Sequence, residues 1–419
     1  MKRKLGRGVA VVGAGVGKFG AFPRHDSRDL FAQAFRELRA SVDRGFDPAE
    51  VEALYLGNYS SDLFEHQGHL APIVASWVGL TPRAALRVED ACASGGVALR
   101  QAVLAVASGL YDVVLVGGVE RMTALPTEAV TDTLATAGDV LYEFSAGFTF
   151  PGFYAAMATA YAAKYGMPYE ALFAVARKNH AHGALNDKAQ FGMTIRAIMD
   201  RRMAKAREKG GPVPSWEDEL DFLRDPGANP PVAWPLRLFD CSPITDGAAA
   251  LLVVAEKVAR RYTDRPLRVL GTGQASDACL YGRADLASLR AAREAAAQAY
   301  AMAGVTPDQI KLAEVHDCFT IAEVLAIEDL GLFPPGQGWR AAADGATSRE
   351  GRIPVNTSGG LKAKGHPVGA SGVAQVVELW KQMRGEAGPR QVARDVDLAL
   401  AHNVGGTGQT CVVHILERG

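Results

Sequence analysis

Asp47-Pro-Ala-Glu-Val-Glu-Ala-Leu-Tyr-Leu-Gly-Asn58 and Thr306-Pro-Asp-Gln-Ile-Lys-Leu-Ala-Glu-Val-His-Asp317 follow one pattern at two places in the chain. Each opens a short helix and then runs into an apolar stretch that reads as a strand, Ala53–Leu56 and Leu312–Val315. An alanine-rich helix precedes each segment, Asp29–Val42 and Ser288–Ala303. A glycine-flanked helix start follows each, at Cys92 and at His366. Each half closes on a buried strand that runs into glycines, Val113–Val116 and Asp397–Leu400. A repeated mixed unit of this length is too long for a solenoid and points to duplication, with two similar α/β halves packed together.

Working outward, Val9–Val12 followed by Gly13-Ala-Gly15 reads as a buried strand ending in a glycine turn. Lys18 stands where a dinucleotide fingerprint needs its third glycine, and no helical pattern begins at once, so nucleotide binding is not expected here. Ser27–Val42 is amphipathic, with Ser27 as the candidate cap. Asp112–Val119 reads as a central strand. From about Glu120 to Phe239 methionines, aromatics, prolines and charges are scattered, which suggests an excursion from the core; Ile244–Val254 resumes it. The expected division is residues 1–265 and 266–419, with the excursion over about 120–240.

The chain has 419 residues, 48% hydrophobic and 22% charged, as expected of an ordered globular protein. With 45 basic and 46 acidic residues the formal charge is -1, without the basic excess of a nucleic-acid footprint. Arg201, Arg202, Lys205, Arg207 and Lys209 form a local basic group that could meet an anionic ligand. The five cysteines, Cys92, Cys241, Cys279, Cys318 and Cys411, are odd in number and not closely spaced, which argues against a disulfide framework. The start Met1–Gly8 is basic, but Val9–Val12 is too short for a signal core, and no stretch has the length of a membrane helix. A cytoplasmic location and no metal are expected.

Four segments carry candidate chemistry. In Val88-Glu-Asp-Ala-Cys92-Ala-Ser-Gly-Gly-Val97 a strand runs into a turn and a helix begins near Cys92; unpaired helix N–H groups favour a thiolate there. The bland reading is a small buried residue. In Asn356-Thr-Ser-Gly-Gly-Leu-Lys-Ala-Lys-Gly-His366-Pro-Val-Gly-Ala-Ser-Gly372 the glycines and proline shape a loop that sets one imidazole at a helix start, a candidate base; a loop histidine can equally be structural. Glu314-Val-His316-Asp-Cys318-Phe319 places a donor and a thiol two residues apart on extended chain. A zinc pair is the rival, but His402 and Cys411 lack ligand spacing. Ala401-His-Asn-Val-Gly405-Gly406-Thr-Gly408 exposes backbone N–H groups suited to an oxyanion, or forms a plain tight turn.

Together these segments resemble the thiolase family from Val9 to Ile415, and His-Asp-Cys-Phe at 316–319 resembles the sterol-carrier-protein-type and archaeal or bacterial acetyl-CoA acetyltransferases. The resemblance implies a five-layered αβαβα fold of two duplicated halves with an inserted loop domain. It implies that Cys92 takes an acyl group, that His366 activates it, that His316 lines an oxyanion hole, and that the N–H groups of Cys92 and Gly405 form a second. The commoner thiolases carry their second cysteine in a Cys-x-Gly motif that here reads Asn403-Val-Gly405; the resemblance moves that thiol to Cys318. Reversible Claisen condensation or thiolysis of acetoacetyl-CoA or another 3-ketoacyl-CoA is the implied reaction, with CoA thioesters as substrates and no tightly bound cofactor. A homodimer or homotetramer is implied, and a separate OB-fold, zinc-ribbon partner is possible in this group. The rivals are a thiolase-like retro-aldol lyase, a C-acylating subunit of a complex, and a non-catalytic lipid carrier or scaffold.

Overall fold

A computed structural model describes residues 4–419; of the basic start Met1–Gly8, the first three residues lie outside it. The strands of the main sheet are β1 (Val9–Val16), β2 (Ala53–Gly57), β3 (Ala84–Val88), β4 (Val113–Glu120), β5 (Gly247–Ala255), β6 (Leu267–Ser276), β7 (Leu312–Glu314), β8 (Leu398–Gly405) and β9 (Thr410–Arg418). They pair in the order β3-β2-β4-β5-β1-β6-β9-β8-β7. In the first half β2 is parallel to β3 and β4, and β5 is antiparallel to β4 and β1. In the second, β7 is parallel to β8, and β9 is antiparallel to β8 and β6. Val355, bridged in parallel to Ala313, stands where β3 stands in the first half. The two half-sheets join where Ala10 and Val11 pair with Arg268 and Leu267.

The helices that matter for the site are α1 (Ser27–Ser41), α2 (Ser94–Ala107), α3 (Phe150–Tyr165), α4 (Leu172–Gly183), α5 (Arg290–Ala303), α6 (Thr320–Asp329) and α7 (Val368–Arg384). Strand alternation assigns the layers. Val9 and Val11 face the core built with α2 and α7, while Ala10 and Val12 face α1. Ala399 and Ala401 of β8 face the α2/α7 core, and Leu398 and Leu400 face α5 and α6. The α/β architecture is therefore α1, half-sheet, α2 with α7, half-sheet, α5 with α6. Each fully buried Val or Leu in these interfaces contributes about 1.5–3 kcal/mol.

Two local expectations change. Asp26, not Ser27, caps α1: its carboxylate accepts from the N–H of Arg28 at 2.9 Å and of Asp29 at 3.1 Å. Gly13-Ala-Gly15 is not a turn but part of β1. A Cβ on Gly15 would overlap the backbone of Ala34 and Leu38, so the glycine lets α1 lie close on the sheet.

The segment between β4 and β5 holds α3, α4 and further helices, among them Ile195–Glu208. Phe153, Tyr154, Met157 and Tyr161 of α3 pack into the core of the second half. Phe173, Ile195, Met199, Phe222 and Phe239 make a small core of their own. Among the described residues no helix is long and apolar enough to cross a membrane.

Candidate active site

Cys92 sits on a sharp elbow between β3 and α2. Ala91 is held at φ 48°, a left-handed conformation unfavourable for a residue with a Cβ. Ser94 stabilises the elbow: its Oγ accepts from the N–H of Asp90 at 2.9 Å and donates to the carbonyl of Ala91 at 2.6 Å. Helix α2 starts two residues after the cysteine. The expected thiolate does not follow. Burial, then the Glu120 carboxylate, push the Cys92 thiol up to about 12, against the opposite pull of the N–H groups of Cys92 and Gly406. Desolvation outweighs the helix start, and Cys92 rests as a thiol.

His366 lies two residues before α7, between Gly365 (φ 118°) and Pro367. Its Nδ1 is 2.7 Å from Ser371 Oγ, and that hydroxyl donates to the Pro367 carbonyl at 3.0 Å. With the serine proton committed to a carbonyl, its oxygen can only accept, so the imidazole proton is on Nδ1 and Nε2 carries the lone pair. Nε2 is buried and has no hydrogen-bond partner among the described residues. Burial, with Lys364 adding to it, lowers the His366 pKa to about 3, so the ring is neutral.

The His316 and His366 rings meet edge to face, centroids 5.0 Å apart. Asn403 determines the His316 tautomer. Its Oδ1 accepts from Gly96 N–H at 3.2 Å and its Nδ2 donates to the Cys92 carbonyl at 3.0 Å, which fixes the amide orientation. The same Nδ2 lies 3.0 Å from His316 Nδ1. Nδ1 must accept, so His316 carries its proton on Nε2 as a neutral donor; burial and the neighbouring His366 and His402 hold its pKa well below the usual range.

Cys318 is buried, and burial keeps its thiol well above the usual range. Asp317, beside it, accepts from Leu361 N–H at 2.6 Å and Asn179 Nδ2 at 2.7 Å, locking His-Asp-Cys-Phe to the loop that carries His366 and to α4. Cys92, Cys318, His366 and Gly406 line one cavity of about 430 Å³, walled by Met122, Val130, Leu134, Phe150, Ile244 and Val368. Gly406, not the expected Gly405, lines this cavity; Gly405 ends β8 and pairs with Thr410. Cys241 also lines it, whereas Cys411 is buried within β9.

A second cavity of about 590 Å³ shares Leu238, Cys241, Ser242 and Pro243 with the first and carries Arg201, Arg202, Lys205 and Lys362. A larger open groove of about 800 Å³, lined by residues of α2 and α5, holds no cysteine or histidine and is remote from this chemistry.

Glu120 and Asn403 escaped the sequence reading. The buried Glu120 carboxylate accepts from the N–H groups of Tyr59 (2.8 Å), Ser60 (3.1 Å) and Gly369 (3.0 Å) and from Asn58 Nδ2 (2.9 Å), tying the ends of β2 and β4 to the start of α7. Burial pushes its pKa up to about 7. The available signal was of one kind: polar residues in an otherwise apolar strand, Glu120 alone in Val113–Glu120 and Asn403 beside His402 in Leu398–Gly405.

Residues 9–257 match the family model of the thiolase N-terminal domain, and residues 273–418 match that of the thiolase C-terminal domain. The chain belongs to the thiolase family. It is a thiolase-type acyltransferase with the α/β thiolase-like fold. It is 44% identical to the acetyl-CoA acetyltransferase of Methanothermobacter thermautotrophicus, over 98% of this chain and 100% of that one. It is 30% identical to human sterol carrier protein 2, over 99% of this chain and 72% of that protein. Among solved structures, the Ltp2-ChsH2(DUF35) aldolase superposes with a TM-score of 0.78 at 23% identity, covering 99% of both chains. Human mitochondrial 3-ketoacyl-CoA thiolase in complex with CoA superposes with a TM-score of 0.68 at 20% identity, covering 100% of both. At these identities the structures speak for the fold alone.

Proposed function

We propose that this thiolase interconverts 3-ketoacyl-CoA plus CoA with two shorter acyl-CoA molecules through an acyl-Cys92 intermediate, with acetoacetyl-CoA as the first substrate to test. The supporting observation is one cavity that holds two neutral thiols and the unpartnered Nε2 of a neutral histidine. In thiolysis His366 Nε2 takes the Cys92 proton as the sulfur attacks the keto carbon. His316 Nε2–H, with the imidazolium formed on His366, meets one developing oxyanion, and the N–H groups of Cys92 and Gly406 meet the other. The C–C bond breaks, and Cys318 protonates the enolate, leaving a Cys318 thiolate. That thiolate takes the proton of incoming CoA, whose sulfur attacks the acyl-Cys92 carbonyl. Cys92 leaves and recovers its proton from His366, so the cycle closes with every group neutral.

Two thiols favour acyl transfer over retro-aldol cleavage, which needs a base but no acyl acceptor. In the same reading the CoA phosphates bind Arg201, Arg202 and Lys205, and the pantetheine arm passes between the cavities at Cys241–Pro243. CoA is then a substrate and no cofactor is tightly held. The division near residue 265, the loop-domain role of about 120–240, a homo-oligomeric state, a cytoplasmic location and an optional separate OB-fold, zinc-ribbon subunit belong to the same proposal. The test is acetoacetyl-CoA thiolysis, followed as loss of the 3-ketoacyl enolate absorbance, in wild type, Cys92→Ala and Cys318→Ala. Turnover lost in both variants supports the reading. A wild type inactive on acetoacetyl-CoA rejects the short-chain substrate, and turnover surviving in Cys92→Ala rejects the acyl-enzyme.

A further inference from the structure

Behind Cys318, within the core formed by α3, α6 and the second half-sheet, lies a phenol that the proposed cycle does not use. Tyr154 of α3 is fully buried, and its ring stacks on Phe319, the residue after Cys318, with centroids 4.7 Å apart and planes 25° apart. Phe319 and Cys318 line the catalytic cavity, whereas Tyr154 approaches from the core side. The Tyr154 hydroxyl has no closed hydrogen bond among the described residues. A phenylalanine would make the same stack, and a buried hydroxyl without a partner is unfavourable. Cys318 immediately precedes the stacked Phe319 and shares its buried cluster with Tyr154, and the phenol eases ionisation of that thiol.

A neutral thiol is a weak acceptor, and a thiolate is a strong one. We propose that the Tyr154 hydroxyl is the donor that holds the Cys318 thiolate, forming its hydrogen bond when Cys318 gives its proton to the enolate and releasing it when CoA returns a proton. No proton leaves Tyr154 at any step: burial keeps the phenol protonated, so it only donates. The geometry suits this task, because a donor on the core side leaves the cavity side of the sulfur free to exchange a proton with substrate. The inference rests on the role given to Cys318 above and adds the group that makes its ionised form accessible.

Tyr154→Phe tests it, since the ring and its stack are kept. Two half-reactions separate the roles. Acetylation of Cys92 by 4-nitrophenyl thioacetate needs only Cys92 and His366, because its acidic thiolate leaves without a proton, whereas exchange of the acetyl-CoA methyl protons with D₂O needs Cys318. A hydrogen bond to a charged acceptor is lost, so methyl-proton exchange and overall thiolysis should fall about ten- to a hundredfold, with acetylation of Cys92 by the aryl thioester held within about twofold. A second measurement needs no turnover: in a Cys92→Ser background, iodoacetamide should alkylate Cys318 about tenfold more slowly at fixed pH once Tyr154 is Phe. Methyl-proton exchange unchanged in Tyr154→Phe, or both half-reactions falling together, overturns the proposal. A wild type in which Cys92 takes no acetyl group from the aryl thioester instead overturns the acyl-Cys92 reading, and the alkylation comparison then still decides the contact between Tyr154 and Cys318.

Discussion

Replacing Asn403 with Leu removes the group that assigns the His316 tautomer while keeping the branched shape of the side chain. The amide makes three buried hydrogen bonds, to Gly96 N–H, to the Cys92 carbonyl and to His316 Nδ1. Losing the last costs the imidazole about 1 kcal/mol of orientation and lets it divide between two tautomers, roughly another factor of two. Together these predict about a tenfold fall in kcat. His316→Leu removes the donor itself and should cost on the order of 10²–10³. The decisive comparison is the double variant. If Asn403 acts through His316, adding Asn403→Leu to His316→Leu should change kcat by less than about twofold, because there is no tautomer left to set. The two backbone groups left unpaired, Gly96 N–H and the Cys92 carbonyl, act separately on stability, at about 1–3 kcal/mol each, and urea unfolding reads that loss. Steady-state thiolysis on folded protein supplies the kcat values. A tenfold effect of Asn403→Leu that persists in the His316→Leu background would refute the tautomer argument and place the asparagine's work at the Cys92 elbow.

Gly15→Val should destabilise the fold by about 3 kcal/mol or more, read as a lower urea midpoint, because its Cβ meets helix backbone at Ala34 and Leu38 rather than a movable side chain. Arg201→Ala with Arg202→Ala should raise the KM for acetyl-CoA about three- to tenfold and leave the KM for an N-acetylcysteamine thioester unchanged, since only the former has phosphates to bind. Stability should vary little from pH 6.5 to about 4.5 and then fall steeply. His180, His366 and His402 (about 3) and His182 and His414 (about 4) have folded pKa values below 6.5, so their contribution is lost as pH falls from 6.5. Glu120, Asp317 and Asp329 (about 7) and Glu314 (about 6) take up protons in the folded state first and offset that loss until the unfolded carboxyls protonate too. Urea midpoints across this range check the shape, and a steep loss already complete by pH 5.5 would contradict it.

What was legible in the sequence was what is encoded locally. The elbow at Cys92, the loop at His366 and the extended His316–Cys318 pair each announce themselves through glycine, proline or strand spacing within a few residues. The duplicated segments placed both halves because the same short helix and strand recur in each. Asn403 and Glu120 were not legible as functional residues, because their partners come from distant parts of the chain. Asn403 reaches Gly96, Cys92 and His316, and Glu120 reaches Gly369. The glycines of β1 were misread for a related reason: they serve the approach of α1, a tertiary demand that looks like a turn signal in one dimension. The state of Cys92 was misread because helix-start electrostatics is local and visible, whereas desolvation depends on everything packed around the sulfur.

The duplication also explains why Cys92 and His366, the proposed nucleophile and base, line one cavity. Cys92 and His366 each stand two residues before a helix of the central layer, one from each half. The two helix starts approach at glycines: a Cβ on Gly95 would lie 2.6 Å from the Gly369 carbonyl, and one on Gly369 would lie 2.7 Å from that of Val119. Each junction is then anchored by a polar group from a strand. Asn403 of β8 binds the Cys92 carbonyl and Gly96, and Glu120 of β4 binds the N–H of Gly369. Each anchor lies in the opposite half from the helix it holds. The spacing of Cys92 and His366 is therefore set by the interface between halves rather than within either one. A substitution that widens this interface, Gly95→Ala above all, should separate Cys92 from His366 and abolish acyl transfer while each half keeps its own sheet. Loss of CoA exchange with near-native far-UV circular dichroism is the expected result, and full exchange in Gly95→Ala would show that the halves do not set the distance.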